Sequence, residues 1–206
     1  MFKKERKEVA YFMRRLYKMG LTTTSGGNIS VLFENHILIT PSTLDKGRLK
    51  ANHIAILTVD GNNLTPEIEP TSEKEMHIEI YRRNSNAKAI VHAHPVTASA
   101  YACTSNEINT NLMGEHYAIL GTPVRAIYVT MGTKELAEKV SEACTLSKVI
   151  LMDNHGVLAT GKTILQAFDR IEVLENAAKT TLITEIIKNK NRIPESELKL
   201  LGAMID

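Results

Sequence analysis

The spacing of apolar residues along the chain predicts an alternation of helices and strands. An amphipathic pattern near the N-terminus predicts a helix that should end at Gly20. The apolar stripe of that helix comprises Val9, Phe12, Met13, Leu16 and Met19. Similar patterns predict helices over residues 72–83, 96–103, 134–143 and 163–188. Short apolar runs bounded by turn residues predict strands over residues 29–33, 37–40, 54–59, 89–94, 124–129 and 149–152.

The starts of two helices carry recognisable signals. Ser72 and Glu75 fit a capping box, which would begin the helix at Ser72 and place Glu73 in its first turn. Pro95 suits the first position of the helix that follows. Pro194 separates a short C-terminal tail from the long helix. Because no repeat or low-complexity linker interrupts the pattern, we expect residues 1–206 to form one α/β domain.

Composition narrows the class of protein further. Hydrophobic residues make up 43% of the 206 residues and charged residues 23%, which is ordinary for a globular domain. A net charge of +2 is too small to suggest binding to nucleic acid. No stretch approaches the length needed to span a bilayer, so no membrane contact is expected. The two cysteines lack a Cys-x-x-Cys motif and the N-terminus lacks the apolar core of a signal peptide, which predicts a cytoplasmic protein.

Three histidines at predicted strand ends indicate a metal site. His92 and His94 lie two residues apart, so an extended chain would point both rings to the same side. His155 follows another apolar run. A lone histidine at a strand end is usually a hydrogen-bonded structural residue, and the His-x-His pair is what favours a metal. The other four histidines have no such spacing and are interpreted as surface or structural residues: His36, His53, His77 and His116.

Three polar segments have the composition of an anion-binding site. They are residues 25–28 (Ser-Gly-Gly-Asn), 40–43 (Thr-Pro-Ser-Thr) and 70–72 (Pro-Thr-Ser). Glycine lets backbone N–H groups approach a ligand, hydroxyls donate hydrogen bonds, and a helix N-terminus favours negative charge. Any one of the segments is explained as a turn or a helix cap. Their combination with a metal site is what suggests a phosphorylated substrate.

Taken together, these residues resemble the class II aldolase and adducin-like family, most closely its L-fuculose-phosphate aldolase type. The match spans most of the chain. It is carried by Ser25-Gly26-Gly27-Asn28-Ile29-Ser30, Ile39-Thr40-Pro41-Ser42, Pro70-Thr71-Ser72-Glu73, Val91-His92-Ala93-His94-Pro95, His116-Tyr117 and Asn154-His155-Gly156-Val157, in the family's order and spacing. The resemblance implies a three-layer fold in which helices flank a central, largely antiparallel sheet.

The resemblance also implies roles for particular residues. His92, His94, His155 and Glu73 would hold one divalent metal ion per chain, with zinc expected and manganese or cobalt as alternatives. Glu73 would become the proton-transfer group once substrate displaces it from the metal. Tyr117 would reach the site of a neighbouring subunit and act as an acid, within a homotetramer whose sites lie between subunits. The phosphate-binding positions would be Gly27, Asn28, Ser42, Thr43, Thr71 and Ser72.

The implied activity is a metal-dependent aldolase, a class II aldehyde-lyase. It would reversibly cleave a ketose 1-phosphate, of the L-fuculose or 5-deoxypentulose type, to dihydroxyacetone phosphate and a short aldehyde through a metal-stabilised enediolate. Three alternatives within the family are a pentulose-phosphate 4-epimerase, a methylthioribulose-1-phosphate dehydratase and a non-catalytic adducin-like binding module. The residues 200–206 depart from the fuculose type because they contain no tyrosine.

Overall fold

A computed structural model describes residues 1–203, and a single mixed sheet organises them. The helices are α1 (Lys3–Lys18), α2 (Lys74–Arg83), α3 (Val96–Ala102), α4 (Gly114–Leu120), α5 (Lys134–Leu146), α6 (Ile164–Ile187) and α7 (Glu195–Gly202). The strands are β1 (Asn28–Phe33), β2 (His36–Ile39), β3 (Ala55–Thr58), β4 (Ala89–Ala93), β5 (Val124–Ala126), β6 (Val149–Met152) and β7 (Gly156–Gly161).

The sheet is largely antiparallel, as predicted. Its strand order is β3-β2-β1-β4-β7-β6-β5, and within residues 1–203 only the pairing of β5 with β6 is parallel. Strand β4 therefore lies at the centre, paired with β1 on one side and with β7 on the other. The central position explains why every residue of β4 is buried.

Helices cover both faces of the sheet and give the three layers that the resemblance implies. Alternation along β4 sends Val91 into a core formed with α1, α3 and α6, and Ile90 into a second core formed with α2 and α5. His92 has the same parity as Ile90, so it points to the side on which α2 begins. No helix among residues 1–203 is long and apolar enough to cross a membrane.

The sequence did not predict three of these elements. Strand β7 has the sequence Gly-Val-Leu-Ala-Thr-Gly, so only three consecutive apolar residues mark it and glycines lie at both its ends. Helices α4 and α7 have only seven and eight residues, too few turns for a clear helical period. Residues 195–202, which the sequence predicts as part of a short tail, form helix α7. Residues 204–206 of that tail lie outside the described residues.

Several predicted boundaries were wrong by a few residues. The Ser72 capping box does not form: α2 begins at Lys74, Glu73 occupies the N-cap position, and no side chain caps the helix. Pro95 is likewise an N-cap residue rather than the first residue of α3. Strand β5 ends at Ala126, three residues before the predicted Val129. Met19 lies beyond the end of α1 and is 46% exposed, because the helix ends before its side chain can reach the core.

Candidate metal centre

The structure brings the three predicted histidines together at one end of the central strands. His92 lies in β4, and His94 follows directly after that strand. His155 lies in the tight turn between β6 and β7, where Asn154 adopts a left-handed backbone conformation with φ of 52°. Because β4 pairs with β7, the turn is held next to the end of β4. One ring nitrogen from each histidine lies within 4.8 Å of the other two.

The distances suit a shared divalent ion. The Nε2 atoms of His92 and His94 are 3.1 Å apart. Two imidazoles on a tetrahedral zinc ion, each about 2.0–2.1 Å from the metal, would have nitrogens roughly 3.3 Å apart. The donor set therefore fits a metal with little movement of the rings.

A backbone contact fixes the hydrogen position on His92. Its Nδ1–H donates to the carbonyl of Val157 at 2.9 Å, because a carbonyl oxygen can only accept. In the neutral ring, Nε2 is then the unprotonated nitrogen, and it faces His94. A backbone acceptor of this kind is typical of metal-ligating histidines.

Burial keeps these rings in the form that binds metal. It is the main cause that lowers the pKa of His94 to about 3, and the neighbouring His92 and His155 lower it further. Burial also lowers the pKa of His92. Both rings are thus neutral near pH 7 and offer lone pairs to a cation.

Glu73 adds a carboxylate to the cluster. Its Oε1 lies 3.2 Å from Nε2 of His155, and its Oε2 lies 3.4 Å from Nε2 of His92. Oε1 is buried and accepts no hydrogen bond among the described residues. Burial alone would raise the pKa of Glu73, but the His92 and His155 rings and a hydrogen bond from Asn28 hold it below the ordinary value. The buried anionic oxygen supports a fourth ligand position.

A chain of buried hydrogen bonds orients the other carboxylate oxygen. Asn28 Nδ2 donates to Glu73 Oε2 at 2.7 Å, and His77 Nε2 lies 2.5 Å from the Asn28 amide oxygen. Since that oxygen only accepts, Nε2–H of His77 is the donor. Ser30 Oγ lies 2.7 Å from both His77 Nδ1 and the Tyr81 hydroxyl. If His77 is neutral, each group can donate a hydrogen bond to the next along the chain from Tyr81 to Glu73. Burial lowers the pKa of His77 to about 3, so the ring is neutral near pH 7.

Two glycines make room for the ring of His94. A Cβ atom on Gly26 would lie 2.8 Å from Nδ1 of His94. A Cβ atom on Gly156 would meet the same ring and would also lie 2.8 Å from the backbone oxygen of Ala93. The ring is therefore held between two backbone segments that only glycine allows to approach this closely.

The three predicted anion-binding segments lie side by side next to this cluster. Thr71 N donates to the Thr40 carbonyl at 3.1 Å, and Ser42 N donates to the Glu69 carbonyl at 2.9 Å. Asn28 Nδ2 also donates to Thr71 Oγ1 at 3.2 Å. The segments are thus joined to one another and, through Asn28, to Glu73.

The six predicted phosphate positions differ in accessibility. Ser72 and Thr43 are exposed and Ser42 is half-buried, whereas Gly27, Asn28 and Thr71 are buried. Gly27 has φ of +67°, and a Cβ atom there would lie 2.8 Å from the His92 carbonyl. Asn28 already uses its amide in internal hydrogen bonds, so the hydroxyls and backbone N–H groups remain the available donors.

Tyr117 does not join the cluster within its own chain. It lies on α4, half-buried, and no contact links it to the histidines within residues 1–203. Its ring lies near Gly202 of α7, since a Cβ atom on that glycine would be 3.9 Å from Cε1 of Tyr117. The resemblance assigned it to a neighbouring subunit, and that role stays a prediction.

Sequence reasoning missed the residues that support the site. His77 had been interpreted as a surface or structural residue, and it is a fully buried member of the hydrogen-bond chain. His116 is also buried. The signal was available in part: Ser30, His77 and Tyr81 lie on buried positions of β1 and α2, and polar side chains there need partners.

The fold and the site together define the protein class. The chain belongs to the class II aldolase and adducin family, since residues 7–182 match the family described as Class II Aldolase and Adducin N-terminal domain. The resemblance drawn from the sequence is thereby confirmed.

Relatives with named activities lie within the same family. The chain is 34% identical over 207 residues to 5-deoxy-D-ribulose 1-phosphate aldolase of Bacillus thuringiensis serovar kurstaki, covering 98% of this chain and 95% of the relative. It is 34% identical over 171 residues to 3-oxo-tetronate 4-phosphate decarboxylase of Haemophilus influenzae, covering 81% of each. A solved structure of L-fuculose 1-phosphate aldolase superposes with a TM-score of 0.90 at 30% identity, covering 97% of this chain and 95% of the other. These similarities support class II aldolase function.

Proposed function

We propose that the protein is a metal-dependent aldolase that reversibly cleaves a ketose 1-phosphate to dihydroxyacetone phosphate and a short aldehyde. L-fuculose 1-phosphate and a 5-deoxypentulose 1-phosphate are the candidate substrates. The observation that carries the proposal is the buried carboxylate of Glu73 within 3.4 Å of two ring nitrogens of a three-histidine cluster. The named aldolase relatives support the same reaction class.

The metal would be held by His92, His94, His155 and Glu73, with zinc expected and manganese or cobalt as alternatives. When bound, it supplies a Lewis acid that stabilises negative charge on the oxygens of the cleaved substrate. Cleavage breaks the bond between C3 and C4 of the ketose phosphate. The C4 hydroxyl loses its proton and becomes the aldehyde oxygen, while the electron pair stays on C3.

Glu73 is the group that exchanges a proton with C3. Its Oε1 accepts no hydrogen bond from the described part of the chain, whereas Oε2 is held by Asn28, so one oxygen remains available while the carboxylate keeps its orientation. In the cleavage direction Glu73 gives C3 a proton to complete dihydroxyacetone phosphate, and in the synthesis direction it removes that proton.

The joined anion-binding segments would hold the substrate phosphate. Gly27, Ser42, Thr43, Thr71 and Ser72 supply backbone N–H groups and hydroxyls next to the metal cluster. Because Asn28 already donates to Glu73, its main contribution is to connect the phosphate site with the proton-transfer group.

Tyr117 would protonate or deprotonate the aldehyde oxygen in the site of a neighbouring subunit of a homotetramer. Exposed apolar side chains support such an assembly: Ile127, Tyr128 and Met131 are 61%, 59% and 62% exposed. We assign the protein to the cytoplasm, which the unpaired Cys103 and Cys144 support.

A decarboxylase is the second candidate, favoured by the relative of that name. Loss of CO2 from 3-oxo-tetronate 4-phosphate leaves an electron pair on C2, next to the C3 carbonyl. Protonation there gives dihydroxyacetone phosphate, the same fragment that aldol cleavage produces. One site could therefore serve either reaction, and the group that leaves is what distinguishes them.

The test is to incubate the metal-loaded protein with a panel of ketose 1-phosphates and with 3-oxo-tetronate 4-phosphate. Aldolase activity releases dihydroxyacetone phosphate with an aldehyde, and decarboxylase activity releases it with CO2. A 4-epimerase or a dehydratase would convert its own substrate without releasing that product, and an adducin-like binding module would convert none. Metal analysis of His92→Ala, with His53→Ala as the control, tests the metal site without any substrate. An inactive protein with a confirmed metal site would then point to a panel that lacks the true substrate.

A further inference from the structure

A cavity with several basic and hydroxyl side chains in its wall lies at the opposite end of the central strands from the metal cluster. Its volume is about 690 Å³, and Ala87, Thr160 and Gly161 are among the residues that line it. In the pairing of β4 with β7, Ala89 faces Gly161 whereas His92 faces Leu158. Three residues of extended chain therefore separate the two ends, about 10 Å along the strands.

The lining of this cavity is cationic. Its basic residues are Arg83, Lys148, Lys162 and Arg170, and no aspartate or glutamate of the described residues 1–203 lines it. Amide and hydroxyl side chains complete the polar part of the wall: Asn84, Ser85, Asn86, Thr122, Thr145, Ser147, Thr160 and Gln166. Arg83 is already paired with Glu79 at 2.8 Å and with Glu142 at 3.8 Å, so Lys162 and Arg170 are the cations on which a bound anion would depend.

Arg170 is the strongest indication of a ligand. It is only 8% exposed, and although Asp169 acts on it electrostatically, no carboxylate among residues 1–203 lies close enough to form an ion pair with it. Its Nη1 donates to the Thr160 carbonyl at 2.7 Å and its Nε donates to the Ile119 carbonyl at 3.4 Å. Nη2 makes no hydrogen bond within the described chain. A buried guanidinium held by carbonyls, with one nitrogen still available, favours an anionic partner.

The start of α6 adds to the positive field. This 24-residue helix begins at Ile164, and Lys162 and Gln166 on either side of its start both line the cavity. The N-terminus of a long helix carries partial positive charge, which stabilises a nearby anion. The N-terminus of α6 and the basic side chains of the cavity therefore both favour a bound anion.

We propose that this cavity binds a small phosphorylated metabolite that carries at least two negative charges. The cavity volume lies in the range of about 300–1,000 Å³ that is usual for small-molecule sites. Lys162, the buried Arg170 and the N-terminus of α6 together match a multiply charged anion better than a single carboxylate. The site is distinct from the phosphate segments near the metal, because it lies at the other end of β4 and β7.

Inorganic pyrophosphate is a suitable probe, titrated calorimetrically into the full-length, metal-loaded protein. Lys162→Met should weaken binding at the cavity by about tenfold or more, since it removes a charge-assisted contact. Lys7→Met is the matched control, because Lys7 is exposed on α1 and its loss changes net charge equally. Any pyrophosphate bound near the metal would be the same in both variants.

A second measurement locates the site directly. Acetylation of surface lysines, read by mass spectrometry, should be slowed by pyrophosphate at Lys162 and unchanged at Lys7. Arg170→Lys, checked for folding by its thermal transition, should reduce that protection. The proposal is overturned if native protein shows no protection of Lys162, or if Lys162→Met and Lys7→Met bind pyrophosphate equally.

Discussion

The side-chain amide of Asn28 holds the Glu73 carboxylate by a hydrogen bond of 2.7 Å while its own oxygen accepts from His77. Oε2 of Glu73 is therefore held by Asn28 of β1, and Oε1 is directed toward His155. The carboxylate proposed for proton transfer is thus oriented by Asn28 and His77, which are not among the proposed metal ligands.

Replacing Asn28 by Ala should lower turnover about 10- to 100-fold, the usual effect of removing a residue that orients a metal ligand. The physical reason is that Glu73 loses its donor and can rotate. Steady-state assays with dihydroxyacetone phosphate as the readout measure the effect, and Asn189→Ala, at an exposed position, is the control. Unchanged turnover in Asn28→Ala would show that the hydrogen bond does not support Glu73.

Glu73→Gln should abolish most exchange of the dihydroxyacetone phosphate C–H proton with solvent. Glutamine keeps the shape and can still accept from Asn28, but it cannot take up the proton, which predicts a loss of about 10²–10⁴-fold. Exchange is followed by NMR in deuterated buffer, with metal content measured on the same sample. Near-native exchange with full metal would assign the base to another residue.

Gly156→Ala should weaken metal binding by about tenfold or more, because the added methyl group meets the His94 ring and the rigid backbone of Ala93. Gly114→Ala is the matched control, since the nearest side-chain atom there would be 3.8 Å from the new Cβ atom. Competition with a chromogenic chelator gives both affinities. Equal affinities would mean that the His94 ring can shift without cost.

Mixing two inactive variants tests whether Tyr117 acts across a subunit boundary. If Tyr117→Phe and Glu73→Gln subunits exchange at random, about a quarter of the sites should contain both native residues and regain activity. Unfolding and refolding the two proteins together gives the hybrids, and each variant treated alone is the control. A mixture no more active than its parents would place Tyr117 in the site of its own chain or outside catalysis.

Lys46 predicts a pH dependence of stability. It is 2% exposed, its Nζ donates to the Pro41 carbonyl at 2.6 Å, and burial lowers its pKa to about 8 from 10.5. Between these two pH values the unfolded chain binds more protons than the folded one, so the free energy of unfolding contributed by Lys46 should rise with pH. Below about pH 8 the cost of burying the charge is fully present.

Urea unfolding at pH 7.5, 9 and 10.5 should therefore show native protein gaining stability relative to Lys46→Met, by up to about 3 kcal/mol. Parallel pH curves for the two proteins would show that Lys46 keeps an ordinary pKa in the folded state.

The sequence predicted the elements that carry a clear local signal. Helical spacing of apolar residues marks α1, and short apolar runs bounded by turn residues mark β1, β2 and β6. Strand β7 was missed because its sequence, Gly-Val-Leu-Ala-Thr-Gly, offers only three consecutive apolar residues between glycine and threonine, and its burial depends on neighbours that are distant in the chain.

The site divides in the same way. Local spacing was enough to pair His92 with His94. Glu73 was assigned from the resemblance of the motif Pro70-Thr71-Ser72-Glu73. The contact of Gly156 with the His94 ring and the chain from Tyr81 to Asn28 depend on how β1, β4 and α2 pack together. Side chains that meet only through tertiary packing have no regular spacing in the sequence from which their contact could be predicted.

The central place of β4 between β1 and β7 has a consequence for folding kinetics. His92 and His155 are 63 residues apart in the chain, and the pairing of β4 with β7 brings them together. Contacts between such distant segments form late, because closing the intervening loop costs entropy. A stopped-flow signal from metal uptake should therefore lag behind helix formation, so the ion would report completion of the sheet rather than its nucleation.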